Sequence, residues 1–143
     1  MNPNTPIKEI MTQPVVTVKP KTLFREIKLL FQHNNFHHLP VVDEDYKVLG
    51  IISKENWLSA VRNIARETTG ETWTDFQYGK VLACDLMTPN PMVLDPDDSI
   101  GLAADIFLAN RFHALPIVED DRLQGILTSH DLLYHAYSSV IVQ

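Results

Sequence analysis

Cysteine is nearly absent from this chain. Cys84 is the only one among 143 residues, so no intrachain disulfide can form. A chain of this size buries roughly two-thirds of the surface its unfolded form exposes, and it needs no covalent staple. A reducing, cytoplasmic setting is the expectation that follows. Glycine is scarce too, at five residues, and none lies in a Gly-rich loop of the kind that cradles phosphates. No apolar run approaches the roughly 20 residues needed to cross a bilayer. The opening MNPNTPIKEIM lacks a charged-then-apolar signal pattern, and no membrane partner is expected. Positive charge is also in short supply: 12 Lys and Arg against 18 Asp and Glu leave a formal net charge of −6. The cations are scattered, which argues against a nucleic-acid partner, because neutralising phosphates takes clustered Lys and Arg.

What the chain does have is a repeat. Residues 11–58 carry MTQPVVTV, an amphipathic stretch, FHHLPVVDED and VLGIISKENWL; residues 87–133 carry MTPNPMVL, an amphipathic stretch, FHALPIVEDD and LQGILTSHDLL. Met11 and Met87 are 76 residues apart (87 − 11), as are Pro40 and Pro116 (116 − 40), whereas Gly50 and Gly125 are 75 apart (125 − 50), so the second copy has a shorter turn. Two copies of one half-domain pack about a pseudo-two-fold axis and create two equivalent clefts.

Each copy reads as β-α-β-β-α. In the first, Val15–Val18 is β-branched and predicts a strand, stopped by Lys19-Pro20. Thr22 is the expected N-cap of a helix whose Leu23, Phe24, Ile27, Leu30 and Phe31 fall at helical spacing opposite Arg25 and Lys28. Asn34-Asn35 ends it. His38–Val42 and Val48–Ile52 are paired strands around an acidic turn, and Ser53 caps a following helix. In the second copy Met92–Leu94 predicts a strand and Ser99 caps a helix. Ala114–Val118 and Leu123–Leu127 predict a hairpin, and Thr128 caps a helix reaching about Ser138. Short helices are expected at Ile7–Met11 and Val81–Met87. The domain expectation is repeat one over residues 5–65, a linker over 66–80 and repeat two over 81–139. The linker's Trp73, Phe76 and Tyr78 read either as core plugs or as a flap.

The β-α-β-β-α unit, the His-x-Leu-Pro-Val-Val-Asp strand-turn and the Gly-h-h-[Ser/Thr]-x-x-[Asp/Asn] junction resemble a cystathionine-β-synthase (CBS) domain. Two in tandem look like a Bateman module, an α+β fold, and the resemblance covers about residues 5–138. It implies a regulatory module that senses an adenosine-containing ligand (AMP, ADP, ATP, S-adenosylmethionine or a related nucleotide) between the repeats. It also implies a homodimer and a regulated protein of unknown identity. No cofactor is required; an adenine nucleotide is the regulatory ligand implied.

Thr128 and Asp131 stand three apart at a helix start. A carboxylate there can accept hydrogen bonds from the two hydroxyls of a ribose, and the helix N-terminus favours a nearby phosphate. The same Thr-x-x-acid spacing is also a capping box. In the resembled family these two positions contact ribose and phosphate. Copy one has Ser53 and Asn56 in their places, a weaker pair because Asn carries no charge. Before Leu-Pro, where the family places a basic residue toward phosphates, the chain has His37 and His38 in copy one. Copy two has His113 and Ala114 there, with Arg111 nearby. Histidine-based phosphate attraction should strengthen at lower pH. By the same resemblance the Asp131 cleft is walled by Gln13, Pro14, Val15, Val16 and Phe36. The Asn56 cleft is walled by the Pro89–Met92 segment, Pro91 and Met92 included, and by Phe112. All of these also read as core.

The six histidines do not assemble a metal set: His33 and His37 straddle a helix end, and His130 and His135 point to different faces. Cys84 has no evident base partner and reads as a small buried apolar side chain. No Ser-His-Asp spacing supports catalysis, so the chain is expected not to be an enzyme. The rival expectation is a ligand-free dimerisation or docking module.

Overall fold

Phe24, Ile27 and Phe31 recur at i, i+3 and i+7, and this stripe buries one face of helix α1 (Phe24–His33) while Arg25 and Lys28 stay exposed. The structure is a computed structural model describing residues 1–55, 57, 59, 62–63, 78–110 and 112–142. After α1 come strands β1 (His38–Val42) and β2 (Val48–Ser53), a short helix α2 (Ala83–Leu86) and a two-residue strand β3 (Thr88–Pro89). Helix α3 (Ile100–Ala109), strands β4 (Ala114–Glu119) and β5 (Arg122–Thr128) and helix α4 (Ser129–Val142) complete the order, and a 3-10 turn at Ile7–Glu9 precedes everything. The fold class is α+β, with one sheet of order β1-β2-β3 and a second of β4-β5.

The chain divides into two compact units, one of them assembled from two separate stretches and the other contiguous. One joins Met1–Val15 to Pro91–Gln143; the other is Val16–Asn90. We call them the Asp131 unit and the Ser53 unit. In the Asp131 unit, Ile7 packs with Ile100, Ala103, Leu115, Ile117, Leu127 and Leu132. The Ser53 unit has its own core around Phe24, Ile27, Phe31, Leu39, Val41 and Trp57. Phe24 and Phe31 lie 5.2 and 5.8 Å from the Trp57 ring, centre to centre.

Both units use the same backbone device. The Met-Thr segment that opens one copy completes the hairpin of the other. Thr12 exchanges two backbone hydrogen bonds with Ile126, at 2.8 and 3.0 Å, while Thr88 pairs antiparallel with Ile51. The helix starts are tied the same way. The Ile100 amide donates to the Thr5 carbonyl at 2.9 Å, and the Phe24 amide to the Val81 carbonyl at 3.1 Å. These bonds satisfy amides that a helix leaves free in its first turn. They also explain a correction. Thr22 does not cap α1: Leu23 is the N-cap residue and makes no side-chain cap bond, and Thr22 Oγ1 accepts the Lys19 amide instead. Ser99 does cap α3, accepting the Leu102 amide at 3.1 Å.

The expected strands at Val15–Val18 and Met92–Leu94 reduce to single parallel bridges, Val18 to Val41 and Leu94 to Ile117. Pro14 and Pro20 flank the first, Pro91 and Pro96 the second, and proline cannot donate to a ladder. Cys84 is another correction: it is exposed. On α2 it is Ala83 and Leu86 that turn inward. The one-residue difference between copies lies in the hairpin turns. Asp120 and Asp121 both take positive φ (52° and 60°) between the paired Glu119 and Arg122, as two-residue hairpin loops of the primed type require. The longer first turn is closed by Asp43, whose Oδ1 accepts the Asp45 and Lys47 amides, each at 2.9 Å.

Among the described residues no helix is long and apolar enough to cross a membrane. The linker aromatics Trp73 and Phe76 lie outside the described residues; Tyr78 stacks on Phe24 at 5.3 Å.

Candidate functional site

The end of the β4–β5 hairpin gathers polar groups because three chain segments meet there. Strand β5 stops at Thr128 and α4 starts at Ser129. The Thr128 amide donates to Asp131 Oδ2 at 3.0 Å, and the Asp131 amide donates to Thr128 Oγ1 at 3.0 Å. This reciprocal pair is a capping box, and it fixes the carboxylate in place. From the N-terminal segment, Thr12 Oγ1 donates to both carboxylate oxygens, Oδ1 at 3.4 Å and Oδ2 at 3.3 Å. Ala114 lies opposite Thr128 in the strand register, and the His113 carbonyl accepts the Ser129 amide at 3.0 Å.

A carboxylate offers about four acceptor positions. One on Oδ2 goes to the Thr128 amide, and the Thr12 hydroxyl is shared weakly across both oxygens. Among the described residues Oδ1 takes no other bond, so a half-buried anion keeps acceptor capacity toward solvent. Chemically, this arrangement can accept hydrogen bonds from a neutral polyhydroxyl group.

Of the sequence-derived candidates, Thr128, Asp131, His113 and Ala114 come together at this hairpin end. Ala114 is buried and His113 exposed. Gln13, Pro14 and Val15 directly follow Thr12 in the same unit; the Gln13–Pro14 peptide is cis. Pro91, Met92 and Phe112 belong to this unit as well, with Met92 and Phe112 exposed. In the Ser53 unit, Ser53 ends β2 opposite His38, and the Lys54 amide donates to the His37 carbonyl at 2.7 Å. Val16 in that unit is exposed, and Phe36 is half-buried, 6.2 Å from the Phe31 ring. Asn56 and Arg111 lie outside the described residues. Among the described residues no three His, Cys, Asp or Glu side chains group as metal ligands would.

Thr12 escaped the sequence reading. Its signal was the Met-Thr pair present at 11–12 and again at 87–88, directly after each expected lead-in helix.

Two α+β units of matching hydrogen-bond pattern, each with a polar strand-to-helix junction, define a tandem-repeat module. The chain belongs to the CBS domain family, which it matches over residues 7–63 and 83–138. It is 31% identical over 142 residues to the chloroplastic CBS domain-containing protein CBSX1 of Arabidopsis thaliana, covering 85% of this chain and 60% of that one. For CBSX2 of the same plant the chain spans 56% of the full length. The solved structure of CBSX2 in complex with AMP superposes with a TM-score of 0.77 at 28% identity, covering 93% of this chain and 96% of that one. The CBS domain pair of protein MJ0100, solved with 5′-methylthioadenosine and S-adenosyl-L-methionine, gives a TM-score of 0.77 at 27% identity, covering 96% and 99%.

Proposed function

We propose that this chain is a non-catalytic regulatory module that senses an adenosine-containing ligand, with the ribose hydroxyls received by Asp131. The observation that carries the reading is the Asp131 carboxylate, fixed at the start of α4 by the Thr128 amide, with Oδ1 taking among the described residues only the long Thr12 hydroxyl bond of 3.4 Å. The complexes of the two similar CBS pairs support it, since AMP, 5′-methylthioadenosine and S-adenosyl-L-methionine all carry an adenosine ribose. A carboxylate makes stronger hydrogen bonds than a neutral acceptor, which favours Asp131 over the Ser53 and Asn56 positions. Thr128, His113 and Ala114, with Gln13, Pro14 and Val15, complete the Asp131 side. Regulation works by linkage: the ligand stabilises the state of the module that binds it best, and a partner protein reads that state.

The test is a thermal-shift panel of AMP, ADP, ATP, S-adenosylmethionine, NAD and cyclic dinucleotides on nucleotide-stripped protein. A ligand at 100 times its Kd adds roughly 2.7 kcal/mol, a rise of a few degrees for a domain of this size. Silence across the panel would contradict the reading.

A second reading, a ligand-free dimerisation or docking module, is favoured by one observation. Leu133, Tyr134 and Tyr137 of α4 are 69%, 68% and 65% exposed. Apolar groups left in water on one helix invite a protein partner, a second copy included. Light scattering that finds a dimer, together with a silent panel, would establish it.

A further inference from the structure

We infer that the Thr12 hydroxyl is the residue that sets the affinity of the Asp131 site, by standing across the carboxylate until a ligand hydroxyl replaces it; the inference rests on the ribose reading above. The Thr12 oxygen is nearly equidistant from the two carboxylate oxygens, 3.4 Å from Oδ1 and 3.3 Å from Oδ2. It therefore lies across the pair rather than beside either one. Hydroxyl-to-oxygen bonds are strongest near 2.7–2.8 Å, so this one is long, shared and weak. A vicinal diol that engages Oδ1 and Oδ2 together has to take the same side of the carboxylate.

The two groups that hold Asp131 are not equivalent. The Thr128 amide bond, at 3.0 Å, belongs to the strand-to-helix junction and persists whatever the ligand does. Thr12 has its backbone pinned to Ile126 by two bonds, so only its side chain has to turn away. Removing the Thr12 hydroxyl therefore leaves Asp131 oriented while freeing its acceptor face. Exchange also filters ligands. A single hydroxyl replaces Thr12 one for one and gains nothing, whereas a cis-diol makes two bonds where one shared bond is broken. The site thereby favours ribo- over 2′-deoxyribonucleosides.

The experiment is calorimetric titration of AMP, with 2′-deoxy-AMP alongside, into the full chain and into Thr12→Ala, Thr12→Ser and Asp131→Ala. If AMP gives no shift in the panel, the strongest panel ligand and its 2′-deoxy form are used. Thr12 is exposed, so its variants fold, and their unliganded melting temperatures verify this. Thr12→Ala should bind about two- to tenfold tighter, the range of one modest hydrogen bond. Thr12→Ser should match the parent, and the parent should bind the 2′-deoxy compound more weakly. If Thr12→Ala binds equally or more weakly while Asp131→Ala loses binding, the Thr12 inference is wrong and the ribose reading stands. If Asp131→Ala binds like the parent, or no panel ligand binds at all, both fall.

Discussion

The cap seen at Asp131 and the ligand role proposed for it separate experimentally. Its carboxylate accepts the Thr128 amide as part of a capping box, and it faces outward with capacity to spare. Asp131→Ala should cost about 0.5–2 kcal/mol of unliganded stability, the usual range for losing a cap, and should abolish ligand-dependent stabilisation. A variant that melts lower but gains as many degrees from ligand as the parent would make Asp131 a cap and nothing more. Glycine matters at the hairpin for a different reason. A Cβ on Gly125 would lie 2.7 Å from Met11 Sδ and 3.0 Å from the Thr12 carbonyl oxygen; one on Gly50 would meet the Met87 side chain more closely still. Gly125→Ala should therefore destabilise by about 1–3 kcal/mol through overpacking. Adding Met11→Ala should restore part of that loss in a chemical denaturation series. Failure to recover any would place the strain against the Thr12 backbone instead.

At the scale of elements, the hairpins and long helices were legible because their signals are local. Short, nearly all-apolar runs marked His38–Val42 and Ala114–Val118, and a helical stripe marked Phe24–Phe31. The Ser99 cap was equally local. Readings failed where a non-local partner decides. Thr22 was displaced from capping because the backbone near Val81 already satisfies the helix start. Thr12 stayed hidden because a Met-Thr segment in a repeat fits the hairpin of either copy, and both hairpins offer the same glycine notch. Nothing in the local sequence says which is used. Part of the candidate site was legible, Thr128 and Asp131 from their spacing and His113 with Ala114 from the family resemblance, but the third segment was not. That segment is also structural. Ile7 is fully buried among Ile100, Leu115 and Leu127, far from all of them in sequence. Ile7→Ala should cost about 2–5 kcal/mol, measured by denaturant midpoint at unchanged slope. A loss below about 1 kcal/mol would mean the N-terminal segment is not integral to the Asp131 unit.

For the molecule as a whole, the family assignment explains why a polar junction occurs twice, and the differences between copies suggest unequal use. The Asp131 unit has a charged acceptor at its junction; the corresponding position in the other copy is Asn56. A single dominant binding event per chain is the expected stoichiometry, read by calorimetry, and two events of equal affinity would contradict the charge argument. The regulatory output proposed would be bounded by the ligand's preference between states, typically 1–3 kcal/mol. The most direct measurement for the central claim is the amide NMR spectrum recorded while AMP, or the strongest ligand from the panel, is titrated to saturation. The account predicts that the amides of Thr12, Thr128 and Asp131 shift in proportion to occupancy. Saturable binding that leaves those three amides unmoved would contradict it.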